Sequence, residues 1–143
     1  MPFLTKVGLQ YGQVPISTGR IFWVAPSAQY SVQGQTFSAS DDNDGLSPER
    51  ALRTINQAVT NATANVGDVI YLLRGTHTVT VTNNLSKAGL TVIGESGSTY
   101  GSAALGIKPR TTLTIRGTSD ECVNVTADDI TFEDLVFQGT AGY

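Results

Sequence analysis

Short apolar–polar alternations that each run into a glycine recur along this chain, and that recurrence limits its fold more than any other feature. Gly75, Gly94, Gly117 and Gly139 follow such runs every 19 to 23 residues. Within the runs, Val79 and Val81 alternate with Thr78, Thr80 and Thr82, and Leu90 and Val92 flank Thr91. Leu113 and Ile115 alternate with Thr112, Thr114 and Arg116, and Val123 and Val125 flank Asn124. Ile130 and Phe132 flank Thr131, and Leu135 and Phe137 flank Val136. A period of two belongs to strands with one face inward and one face wet. Strands repeating at this interval predict a solenoid, in which no coil buries its own apolar face and each stacks on the next. The rival is an antiparallel sandwich. Its two-residue Asn-Gly or Asp-Gly hairpin turns are missing between the later strands.

Composition agrees. Charged residues make up 15 % of the chain, and its 15 glycines sit among many Thr, Ser and Asn residues, as in turn-rich β proteins. The net charge of −3 provides no basic footprint for nucleic acid. No apolar stretch reaches the ~20 residues that span a bilayer, so no membrane insertion is expected. Met1–Lys6 lack the pattern of an export signal, so assembly in a cytoplasm is expected. The single cysteine, Cys122, reads as a small apolar filler in a strand.

Residues 1–20 show no sustained period and read as an extended arm, with a short strand possible around Val7 to Tyr11. Ile21 to Ala25 reads as a strand ended by Pro26, and residues 27–40 as a polar loop. Asp41-Asp42-Asn43-Asp44-Gly45 is an acidic turn. Set against a calcium loop it has Ser40 at the first position and Ala51 at the twelfth, where a bidentate Glu is needed, so a metal site of that type is rejected. Next, Ser47 reads as an N-cap, with Pro48 and Glu49 suited to a first turn and Leu52, Ile55, Val59 and Ala62 on one stripe. The spacing predicts an amphipathic helix of about four turns, ending before Gly67. Val69 to Leu73 is a continuous apolar run, as expected of a strand covered on both faces.

The segment from Phe22 to Thr78 resembles the N-terminal entry of pectin-lyase-like parallel β-helix proteins. The resemblance lies in Phe22-Trp23-Val24, then Asp44-Gly45-Leu46-Ser47-Pro48-Glu49, then Leu52-Arg53-Thr54-Ile55-Asn56-Gln57-Ala58-Val59, and finally the Gly67-to-His77 strand segment. Asp128 to Phe137 is similar to a later coil of the same fold. The loop between Pro26 and Asp41 looks longer than the family usually carries. The resemblance implies an all-β, right-handed parallel β-helix with an N-terminal capping α-helix: an arm over 1–20, and cap and first coils over 21–143. With no capping helix after Phe137, a fragment of a longer β-helix is expected.

Proteins of that family cleave or bind polysaccharides, or serve as stiff fibres and spikes. Without an export signal, and with an irregular arm before the cap, the leading expectation is the particle-proximal part of a phage tailspike or tail fibre. It would be a homotrimer in the virion, fastened to other virion proteins through residues 1–20. Host surface polysaccharide would meet a part further on. The alternatives are a polysaccharide lyase or hydrolase whose catalytic residues lie beyond residue 143, and a bacterial surface solenoid used as a spacer.

No catalytic, cofactor-binding or metal-binding residue is assigned, and no cofactor is expected. Glycoside hydrolysis needs two carboxyl groups about 5–9.5 Å apart. Asp120 with Glu121, Asp128 with Asp129, and Glu133 with Asp134 are sequence neighbours, which a strand points to opposite faces. Arg74, Arg110 and Arg116 form no obvious lyase cluster. His77 has no assignable acidic or nucleophilic partner. Trp23 with Phe22 and Tyr30 is a candidate sugar-stacking platform, weighed against packing beneath the cap. The sequons at Asn61, Asn84 and Asn124 are set aside for want of an export signal.

Overall fold

The computed structural model describes residues 19–95, 111–115 and 122–138. In chain order its elements are β1 (Ile21–Val24), β2 (Gln29–Val32), β3 (Gln35–Ser38), α1 (Ile55–Asn61), β4 (Val69–Leu72), β5 (Thr76–Val79) and β6 (Asn83–Leu85). Then follow β7 (Thr91–Gly94), β8 (Thr111–Ile115), β9 (Val123–Val125), β10 (Thr131–Glu133) and β11 (Leu135–Gln138). Three sheets form by stacking successive coils: β1-β4-β7-β10, β5-β8-β11 and β6-β9. Every pairing in them is parallel. The chain thus winds as a right-handed parallel β-helix. Val69 pairs with Thr91 and Leu135 with Thr111, so a coil without insertions takes 22 to 24 residues, close to the interval at which the glycines recur.

Register decides which side chains share the axis. In the first sheet, Phe22, Ile70, Val92 and Phe132 stack in one column, with Val24 and Leu72 beside them. These join Leu85, Leu90 and Leu113 in a continuous core. Parallel strands lie about 4.8 Å apart, so like residues in successive coils are in contact. His77 stands in register with Leu113 and Phe137, where an apolar residue would be usual.

The cap differs from the predicted four-turn helix. Pro48–Arg50 forms a 3-10 turn, and Ser47 makes no side-chain cap. The helix is α1 alone, two turns long, with Thr54 as N-cap accepting from the Gln57 amide at 3.2 Å. Between them, Leu52 is an extra rung. Its amide donates to the Trp23 carbonyl at 2.8 Å and its carbonyl accepts from the Ala25 amide at 2.9 Å, in a parallel bridge to Val24. The Leu52, Ile55, Val59, Ala62 spacing reads as helical although only Ile55 and Val59 are in the helix, Ala62 being its extended C-cap. Leu52 reaches the same core from an extended backbone.

Three devices therefore finish this end of the solenoid. Leu52 satisfies the edge of β1. Asn56 of α1 donates to the Thr82 carbonyl at 3.1 Å and accepts from the Asn84 amide at 2.9 Å, standing in for a strand beside β6. Ile55, Ala58 and Val59 cover the axis. Lys87, from the first coil, closes the helix by donating to the carbonyls of Thr60 and Ala62, a favourable place for a cation. An edge left bare would recruit another chain.

Residues 27–40 are not a loop. They hold an antiparallel hairpin, β2 with β3, turning at Gln33 and Gly34, whose φ angles are 49° and 82°. Both central residues are left-handed, as the two-residue turn matched to strand twist requires, but Gln-Gly lacks the Asn or Asp that signals it in a sequence. The alternation after Val79 also fails to continue inward. The chain bends at Thr80 and Val81, leaving Val81 67 % exposed. The expected arm, apart from Gly19 and Arg20, lies outside the described residues, as do the strand around Val7, Gly117 and Gly139.

Candidate functional site

The register that sends Phe22 inward sends its neighbours outward. Trp23, Tyr71, Ile93 and Glu133 form one outer column of the first sheet, and Ile21, Val69, Thr91 and Thr131 another. This explains the unbroken apolar run at β4. Ile70 and Leu72 face the axis, while Val69, Tyr71 and Leu73 belong to a second apolar cluster outside it. The hairpin covers that cluster with Tyr30, Val32 and Phe37. The Tyr30 hydroxyl donates to the Pro48 carbonyl at 2.6 Å and accepts from the Ala51 amide at 3.0 Å, pinning the hairpin to the cap.

Where the hairpin leaves the sheet, a half-open groove of about 650 Å³ remains. Trp23, Tyr71, Tyr30 and Pro26 form its apolar walls, and Ser27, Gln33, Arg74 and Glu95 its polar ones. Trp23 meets Tyr71 edge-on, with ring centroids 4.7 Å apart and planes inclined by 65°. Tyr71 is itself buried, so it braces the indole rather than offering a free face. The Glu95 carboxylate accepts from the Arg74 amide at 2.8 Å, holding these two charged residues at one end. Burial, with the charges of Glu95 and Asp134 and against that of Arg74, pushes the Tyr71 phenol up to about 12. Burial also raises Tyr30, opposed by the Ala51 amide and assisted by Glu49. Both phenols therefore stay protonated at neutral pH and serve as hydroxyl groups only.

Such an arrangement suits a ring that is apolar on its faces and polar at its edges. A braced indole offers the flat contact, while hydroxyl, amide and charged groups at the margin offer hydrogen bonds. Pyranose sugars have this character. The sequence-derived trio of Trp23, Phe22 and Tyr30 is only partly brought together: Phe22 faces the core, beneath the Arg20 guanidinium 4.9 Å from its ring centroid. Tyr71, Arg74 and Glu95 complete the groove instead. The legible hint was the apolar run itself, whose outward members needed a cover.

The remaining candidates lie elsewhere. His77 is buried, its Nε2 2.8 Å from the Leu73 carbonyl, and burial drives its pKa down to about 4 despite that bond. Asp41 accepts from the amides of Arg53 and Thr54 and from the Thr54 hydroxyl, and Asp44 from the Leu46 amide while facing Arg50 at 3.4 Å. The acidic turn thus organises the chain before α1. Among the described residues, no His, Cys, Asp and Glu group is placed to hold a metal. Asp128 and Asp129 occupy a bend, with Asp129 at φ 55°, and Asp134 turns the chain after Glu133 at φ 54°. Asp120, Glu121, Arg110 and Arg116 lie outside the described residues. Cys122 is buried in the core, which pushes its thiol pKa up. Asn61 bonds Gln57 at 2.9 Å, and Asn124 donates to Asn84 at 3.3 Å in the next rung. Among the described residues no helix is long and apolar enough to cross a membrane.

The topology is that of the pectin-lyase-like parallel β-helix, a fold used by carbohydrate-active enzymes and by phage tailspikes and adhesins alike. No family model, characterised protein or solved structure matches the chain.

Proposed function

We propose that this chain is the cap and first coils of a polysaccharide-acting β-helix protein, with the Trp23 groove as a glycan-contact subsite. No bond-cleaving residue is assigned among the described residues. One observation carries this reading: a tryptophan that a solenoid could have turned inward is held on the outer face, edge-on to Tyr71, in a groove with a polar end. Incubating the full-length protein with a panel of polysaccharides and counting new reducing or unsaturated ends tests the catalytic half. The binding half predicts that Trp23→Ala weakens retention on the cleaved polymer about tenfold. Retention without cleavage of any polymer discards the enzyme. Neither retention nor cleavage discards the whole reading.

A second reading is favoured by a separate observation. Arg20, where the arm enters, is tied to buried Asp68 through backbone and side chain, so a pull on residues 1–18 passes into the first coil. That suits the particle-proximal part of a trimeric phage tailspike or fibre, anchored through its arm to other virion proteins. An image of an assembled particle with residues 1–20 making no contact there removes this reading.

A further inference from the structure

We infer that Gln33, at the tip of the hairpin, is the residue through which the Trp23 groove recognises the hydroxyl edge of a bound sugar. The inference rests on the glycan reading of this groove and adds a specificity-determining residue to it. Gln33 is the first central residue of the β2–β3 turn, at φ 49°, and Gly34 follows it at φ 82°. A left-handed backbone is unfavourable for a residue with a Cβ, and Asn, Asp and Gly are the residues that tolerate it best. Their short polar side chains, or the lack of one, ease the local conformation; the longer glutamine does not. The hairpin therefore turns on a residue that weakens it. Strain kept at such a position points to a use for the side chain.

That use lies in the groove, which Gln33 lines together with Trp23, Tyr30 and Tyr71. Several polar groups beside it are engaged within the protein. The Ser27 hydroxyl donates to the Gln29 carbonyl, the Tyr30 hydroxyl bridges Pro48 and Ala51, and the Glu95 carboxylate holds the Arg74 amide. The Gln33 side chain is exposed and bonds no described residue. A primary amide carries an acceptor and two donors side by side, so it accepts from one sugar hydroxyl and donates to the next while the indole covers the ring face. Asparagine would suit the turn better but would draw that amide back by one methylene. Stability and recognition thus pull in opposite directions at this one position.

Trp23 is the only tryptophan in the chain, so its emission reports the groove directly. The full chain, Gln33→Asn and Gln33→Gly are each titrated with gluco-, manno-, galacto- and galacturono-hexaoses and unfolded by heat. The expected result is a shift in emission of the unsubstituted chain with at least one oligomer. Both variants are expected to unfold about 2–4 °C higher, as the strained turn relaxes. Both are expected to bind that same oligomer about three- to tenfold more weakly, the loss of one or two hydrogen bonds. A purely structural role for Gln33 would not separate the two signs. Variants that gain stability and bind as tightly as the unsubstituted chain overturn the assignment of Gln33 and leave the glycan reading standing. Variants that unfold at lower temperature overturn it as well, because the turn then prefers glutamine for its own sake. No shift with any oligomer overturns both the assignment and the glycan reading.

Discussion

The carboxylate of Asp68 and the main chain of Arg20 meet across 48 residues of sequence, the amide donating to Oδ1 at 2.7 Å. The other oxygen accepts from the Thr63 amide at 2.7 Å and faces the Arg20 guanidinium at 3.3 Å. One side chain, 1 % exposed, thereby ties the entering chain, the segment after α1 and the first coil.

Burial alone raises the pKa of Asp68, but the Thr63 and Arg20 amides and the Arg20 charge outweigh it and hold the group below its ordinary value. Between the folded and unfolded values the unfolded chain binds more protons, so this contribution is complete above about pH 4 and lost as pH falls further. Asp68→Ala leaves buried donors unpaired and is expected to cost about 3 kcal/mol, with a flatter acid limb. Denaturant melts of both proteins from pH 5 to pH 2 check this; parallel acid limbs contradict it.

His77 titrates in a different window. Its folded pKa of about 4 lies below that of an unfolded histidine, ~6.5. Between these values the unfolded chain carries the extra proton, so stability drops on acidification from pH 6.5 to 4, by up to about 3 kcal/mol. His77→Leu, whose neighbour in register is Leu113, is expected to remove that slope while losing the bond to Leu73. Equal slopes in both proteins over this range rule out the buried neutral imidazole.

Tyr30→Phe removes the hydroxyl that bridges Pro48 and Ala51 and leaves the ring against Phe37. The cost is expected to be about 1–2 kcal/mol. Amide exchange is expected to quicken in β2 and β3 but not in β4 and β7. Uniform quickening would show that the hairpin is no separate lid.

Two glycines with positive φ separate strain from crowding. A Cβ at Gly34 meets nothing, so Gly34→Ala costs only the backbone penalty, about 1 kcal/mol. At Gly75, where φ is 139°, a Cβ lies 2.9 Å from Cγ of Pro26, and Gly75→Ala is expected to cost at least about 2 kcal/mol more. Thermal unfolding of the pair ranks them, and equal midpoints reject the close approach.

The solenoid was legible because its information is local. Alternation at Leu113, Val123 and Leu135 and the glycine interval record a coil that each segment repeats. The cap was half legible, since Leu52 fits a helical stripe equally well from an extended rung. The hairpin was hidden by its Gln-Gly turn, and with it the reason for an apolar outer face.

Period and composition thus carried the winding of the chain, because a strand's two faces are written in consecutive residues. Which outward residues become neighbours was not written there. Trp23 and Tyr71 are separated by most of the cap and meet only because β1 and β4 pair in one register. Arg74 and Glu95 meet because β7 follows β4 one coil later. Register between distant strands comes from the summed packing of the whole core, so the groove exists only once the coils have stacked.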